Sequence, residues 1–235
     1  MVSNRREGKQ VVFTAGFICS LISFVCLFIA FSTPYWIQSW PRVHSGFKHL
    51  GLWEACFAGL VLDRDPKQKA YHGCWWILAK EYWDIRTWMM PPWFIVCQIL
   101  TTLCFVAQLI NVVLLFVAWL STGGLSKQGQ SKQQRVPVTL VQTATILTVA
   151  TMLGMLTVIL VFGIAYKVDE RAWMPSPKLN YPSWSYGLAV VSVFFSIFAT
   201  IAQVTYTIIV RQELREPPKS APQVGYIPSV KDSTV

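Results

Sequence analysis

The sequence predicts an α-helical membrane protein: a four-transmembrane-helix bundle with a small disulfide-stapled antiparallel extracellular β-sheet. Three observations predict it. The 235-residue chain is 54% hydrophobic and only 13% charged, with a mean hydropathy of +0.45. Its apolar residues gather into runs at 11–33, 93–119, 140–166 and 185–210, and none of these holds Asp, Glu, Lys, Arg or His. Each run is long enough to cross ~30 Å of hydrocarbon as a helix of ~20 residues. Two cysteines, Cys56 and Cys74, stand outside these runs in segment 34–92, where a β-rich, tryptophan-rich loop would need a covalent staple to fold.

Taken in order, residues 1–10 form a short polar N-terminus carrying Arg5, Arg6 and Lys9. The first run could be mistaken for a cleaved signal peptide, since Ala30-Phe31-Ser32 resembles a cleavage site. Its apolar core exceeds the 7–15 residues of a signal peptide, so it is read as an uncleaved span. The loop 34–92 offers three candidate strands, at 35–40, 50–57 and 73–77. The last two each carry one cysteine. The polar stretch Asp63-Arg64-Asp65-Pro66-Lys67-Gln68-Lys69 between them reads as a turn. A bridge from Cys56 to Cys74 would close a loop of about 18 residues and contribute roughly 3 kcal/mol in the chain-entropy model.

Beyond the second span, 120–139 is a loop of Gly, Ser, Gln and Lys, and 167–184 is a short proline-containing loop. The tail, 211–235, is also proline-rich. The 20 Lys and Arg divide equally between the two sides of the membrane, so their number alone does not orient the chain. The middle loop has bases and no acid, which favours the inside, and the cysteines favour the oxidising side. Both termini are therefore expected in the cytoplasm. The net charge of +9 is scattered among loops and tails without an aromatic-interleaved patch, so no nucleic-acid partner is expected. The lipid bilayer is the partner that composition itself implies.

Trp36, then Gly51-Leu52-Trp53, Cys56 and Cys74, then Arg86 at the foot of the second span resemble the signature of the claudin family, within the claudin / peripheral myelin protein / epithelial membrane protein superfamily. The order and lengths of spans and loops agree with it over most of the chain. The resemblance implies that Cys56 and Cys74 pair. It also implies that Trp36, Gly51, Leu52 and Trp53 seat the sheet on the bundle, with Trp53 near the outer leaflet and Arg86 in contact with the seat. Physically, an indole packs apolar surface while its N–H finds an acceptor, and a glycine permits close backbone approach. Arg86 alternatively serves as a plain interface charge. The stretch between the cysteines is longer than in vertebrate claudins, and Trp75 stands where channel-forming claudins often carry a charge. The long insert, with Gly73-Cys74-Trp75-Trp76 and Asp84-Ile85-Arg86 approaching the second span, resembles the divergent claudins of invertebrate septate junctions.

The final residues Asp232-Ser233-Thr234-Val235 fit a C-terminal PDZ ligand, in which Val235 fills an apolar pocket and Ser233 meets a polar partner. Within the spans, Gln98, Gln108, Asn111, Gln142 and Gln203 are expected to form interhelical hydrogen bonds, and Ala150-x-x-x-Gly154 to allow close helix approach. Cys19, Cys26, Cys97 and Cys104 read as small packing residues. His44, His49 and His72 share the first loop, but their spacing fits no standard zinc pattern, so neither metal nor cofactor is expected. No P-loop, Gly-x-Ser-x-Gly or His-Glu-x-x-His occurs. The expected function is thus non-enzymatic. The claudin resemblance implies a structural component of epithelial septate- or tight-type junctions at the lateral plasma membrane, expected to meet itself or other junctional proteins in cis and trans, to form the paracellular barrier, and to bind a PDZ scaffold through its tail. The alternative is a tetraspan regulatory subunit of an ion channel or receptor.

Overall fold

Hydrocarbon leaves no water to satisfy backbone polar groups, so apolar runs of this length must bond within themselves as helices. The computed structural model, which describes residues 2–42, 44–63, 65, 67–121, 135–168, 174–175 and 177–215, has four such helices. They are α1 (Val2–Ser32), α3 (Pro92–Ser121), α4 (Arg135–Val168) and α5 (Trp184–Arg215). A single turn, α2 (Arg86–Met89), precedes α3. The helices α1, α4 and α5 run beyond the apolar segments at the end away from the sheet, where Lys9 of α1 pairs with Glu213 of α5 at 2.6 Å. At the other end α1 stops at Ser32 because Pro34 follows. Proline lacks an N–H and biases the residue before it away from helix.

The packing forms a closed ring: α1 touches α5 and α3, while α4 touches α3 and α5. Two amides tie the ring together. Gln108 donates toward the Ser20 carbonyl and the Ser23 hydroxyl at 3.4 Å each, and accepts from Thr151 at 3.0 Å. Gln203 donates to the Ser20 hydroxyl at 3.0 Å and accepts from Thr148 at 3.2 Å. These are the expected interhelical bonds, worth about 0.6 kcal/mol each on average. Asn111 differs: it is fully buried, and neither amide atom has a hydrogen-bond partner among the described residues. The small-residue pair is half right. A Cβ on Gly154 would lie 2.5 Å from Cys104 Sγ, so α3 and α4 do approach closely there, but Ala150 faces outward.

The sheet has five antiparallel strands in the order β4-β3-β2-β1-β5, namely β1 (Ile37–Ser39), β2 (Phe47–Leu50), β3 (Glu54–Leu60), β4 (Tyr71–Trp76) and β5 (Asn180–Pro182). Two expectations are corrected here. The stretch 50–57 is not one strand, because the chain reverses at Gly51–Trp53, with Gly51 N–H donating to the Glu54 carbonyl at 2.8 Å. And the strands are not confined to 34–92: the second loop, read as a short proline-containing connection, supplies β5, which pairs with β1 through Ile37↔Pro182 and Ser39↔Asn180. The predicted polar turn is organised by Asp65. Its carboxylate accepts from the backbone of Lys67 and Lys69 and from the Tyr71 hydroxyl, at 2.9, 3.1 and 2.9 Å. One apolar cluster runs without a break from sheet residues such as Ile37, Leu50 and Ala55 into bundle residues such as Leu27, Met155 and Phe162.

Candidate functional site

The residues singled out in the first loop converge where the sheet meets the bundle. Cys56 and Cys74 are directly opposed in the β3–β4 register and form a disulfide, with Cα atoms 4.1 Å apart. The bridge therefore ties an edge strand, β4, to its neighbour.

Trp36 is fully buried just after α1. Its indole N–H donates to the Ala30 carbonyl at 2.7 Å. In a continuing helix that carbonyl would accept from residue 34, which is proline and has no N–H to give. The indole ring stands edge-on to Phe162 of α4 at 4.9 Å and to Tyr186 of α5 at 6.0 Å. One side chain thus caps α1 and wedges between two other helices.

The Gly51-Leu52-Trp53 turn rests on α1 and α3. A Cβ on Gly51 would lie 2.4 Å from Pro34 Cα and 2.8 Å from the Thr33 carbonyl oxygen, so only glycine fits against the end of α1. Leu52 is fully buried, and its carbonyl accepts from Gln98 Nε2 of α3 at 2.6 Å. Gln98 was expected to bond between helices; it instead holds the loop. Trp53 packs edge-on against Phe31 at 5.4 Å and lies 6.5 Å from Trp76. Its indole nitrogen is buried without a hydrogen-bond partner among the described residues.

Arg86 reaches the seat at one remove. Its guanidinium donates to the Leu78 carbonyl at 2.7 Å and lies over the Trp83 ring at 4.8 Å. The neighbouring Ile77 N–H, in turn, donates to the Trp53 carbonyl at 2.9 Å. Tyr82, which the sequence reading missed, is buried and donates to the Ala55 carbonyl at 2.9 Å. It fastens the segment after β4 to β3. The tail motif Asp232–Val235 lies outside the described residues, as does the whole loop between α3 and α4.

Among the described residues, His49 is the loop histidine that comes close to the cysteines, its donor atom and both sulfurs lying within 4.8 Å of one another. The sulfurs are bonded to each other, so this triplet offers a metal only the imidazole. His49 Nδ1 lies 3.0 Å from the Pro34 carbonyl, and the ring stacks on Tyr35 at 4.4 Å. Burial pushes the imidazole below its usual range, against the opposing pull of the Pro34 carbonyl and Glu54. The folded state therefore favours neutral His49. Its contribution is complete above an unfolded value of about 6.5 and is lost as pH falls through the lower folded value. Melting temperature is expected to drop as pH falls through this window, with a shallower slope in His49→Phe; equal slopes would refute the coupling.

The arrangement is one of packing, capping and a covalent staple, and among the described residues it offers no constellation of nucleophile, base and oxyanion donors. A comparison with curated proteins finds no match to this chain. The family model described as PMP-22/EMP/MP20/Claudin tight junction matches residues 21–204, from within α1 to late in α5. With the stapled sheet seated on four spans, that match identifies the chain as a non-enzymatic, multi-pass membrane protein belonging to the PMP-22/EMP/MP20/Claudin family.

Proposed function

We propose that this protein is a structural component of epithelial cell–cell junctions of the septate or tight type, with its sheet outside the cell and both termini in the cytoplasm. The observation that carries the reading is the joining of both loops into one sheet. Because β5 from the second loop pairs with β1 from the first, the two loops present a single platform, stapled at Cys56–Cys74 and fixed to the bundle at Trp36 and Gly51. A rigid platform at one end of a span bundle suits contact with copies on the same and the opposing cell, since preorganisation lowers the entropic cost of association. The long β3–β4 connection supports the septate-junction branch. The tail 232–235 supplies a PDZ ligand on the opposite side of the membrane.

The test is leakage of a labelled dextran across an epithelium depleted of the protein. Depletion is expected to raise leakage, and the intact chain to restore the barrier. Cys56→Ser, which forfeits about 3 kcal/mol of loop stability, is expected not to restore it. Unchanged leakage in a depleted but intact epithelium would discard the barrier reading in favour of a regulatory subunit of a channel or receptor.

A further inference from the structure

One corner of the loop region carries apolar surface that neither the sheet nor the bundle uses. Trp76 at the end of β4, Leu78 in the next turn and Trp83 are 61%, 52% and 69% exposed. They follow one another closely in the chain, at the end of β4 and in the turns before α2. Trp76 adjoins Trp53, and Arg86 donates to the backbone carbonyl of Leu78 while its guanidinium covers the Trp83 ring. Clustered exposure of this kind marks an interaction surface.

Three observations identify what covers it. The first is depth. Gln98 lies about 9 Å inside the start of α3, at 1.5 Å per residue from Pro92, yet its amide holds the Leu52 carbonyl. The next carbonyl, that of Trp53, accepts from Ile77. The corner is therefore tied to the level of the first turns of a spanning helix.

The second is continuity. Phe28 is 50% exposed on a span and lies 6.0 Å from Phe105, which stacks on Phe31 at 4.9 Å. Phe31 in turn meets Trp53, and Trp53 adjoins Trp76. An aromatic surface thus runs from the flank of the spans onto the sheet corner.

The third is charge. Asp84 and Glu81 are engaged by Lys67 and Lys69, each at 2.9 Å, and Glu54, opposite Trp76 in the β3–β4 register, is the remaining acid beside the corner. That leaves Arg86 and the exposed Lys80 as the cations of the corner. Indoles favour the headgroup level of a bilayer, and long basic side chains extend from apolar surface to phosphate.

We propose that Trp76, Leu78 and Trp83 insert into the headgroup region of the leaflet on the sheet side, with Arg86 and Lys80 meeting lipid phosphate. The occupant is the phospholipid that already surrounds α1 and α3. The anchor holds the sheet by its β4 edge, which leaves the β5 edge facing away from this contact.

The test uses the full chain in phosphatidylcholine vesicles whose acyl chains carry bromine near the headgroup. Fluorescence lost in Trp76→Phe and in Trp83→Phe isolates each indole. Trp40, 56% exposed on the chain just past β1 and 4.9 Å from Tyr181, is isolated the same way as a reference. Brominated lipid is expected to quench the Trp76 and Trp83 components more than the Trp40 component, and aqueous acrylamide to show the reverse order. Should either variant unfold, Leu78→Trp reports on the same corner through the fluorescence it adds. Quenching by brominated lipid no greater than for Trp40 would overturn the proposal and leave the corner to a protein partner. The readout is lipid contact, so it stands or falls independently of the junctional reading.

Discussion

Replacing Trp36 by alanine is expected to destabilise the fold by about 3–5 kcal/mol, the range for truncating a fully buried tryptophan. Three losses coincide at this one position. The ring leaves a cavity where it stood against Phe162 and Tyr186. The Ala30 carbonyl loses the indole donor, and Pro34, at the position where a continuing helix would supply one, has no N–H to replace it. And the link between α1 and the sheet loses its wedge, although the Trp36 backbone still bonds the Leu50 carbonyl at 3.0 Å and the Ser183 N–H at 2.9 Å. A second variant separates the contributions. Trp36→Phe keeps most of the ring contact but leaves a buried carbonyl unpaired, which costs about 1–3 kcal/mol. The measurement is equilibrium unfolding of the purified chain in a bilayer mimic, with the near-ultraviolet tryptophan signal reporting on the loop. A Trp36→Phe variant as stable as the parent would show that the ring alone matters and that capping of α1 does not.

The four spans were legible because hydrocarbon imposes a rule on composition alone: a charge-free run of this length has one stable conformation. The Cys56–Cys74 pairing was legible for a similar reason, since two loop cysteines outside the spans have few alternatives. The turn inside 50–57 was not. Leu50, Leu52 and Ala55 are all buried, so the run reads as a single β segment. What breaks it is the end of α1, which lies against Gly51; that is a tertiary constraint. Strand β5 was equally hidden, because three residues ending in Pro182 have no periodicity and form a strand only where β1 offers an edge. Gln98 was noticed as a polar residue in a span, but nothing local reveals that its acceptor is a loop carbonyl 46 positions away. Burial and composition are written along the chain, whereas hydrogen-bond partners at a sheet–bundle junction depend on how separate segments meet.

The same junction sets the expectation for Gly51→Ala. A single methyl group is the smallest change that can be made there, yet the atoms it would strike are backbone: Pro34 Cα at 2.4 Å, the Thr33 oxygen at 2.8 Å and the Pro34 carbonyl carbon at 3.1 Å. No rotamer change relieves such a clash. Conformational freedom is not the issue, since among the described residues the glycines with positive φ are Gly59 and Gly73. The strain must be relieved by moving the 51–53 turn away from α1, which pulls the Leu52 carbonyl from Gln98 and the Trp53 carbonyl from Ile77. Overpacking of a tight interior costs 1–3 kcal/mol and occasionally more. With backbone on both sides and two hydrogen bonds at risk, a loss of about 3 kcal/mol is expected here. Gly187→Ala serves as the control: nothing lies within 4 Å of its Cβ, and alanine in a helix is favoured over glycine by roughly 0.5–1 kcal/mol. Unfolding of the two variants side by side is therefore expected to move in opposite directions. If Gly51→Ala melts with the parent, the backbones of residues 33–34 and 51 are not locked together, and the platform loses one of its two attachments to the bundle.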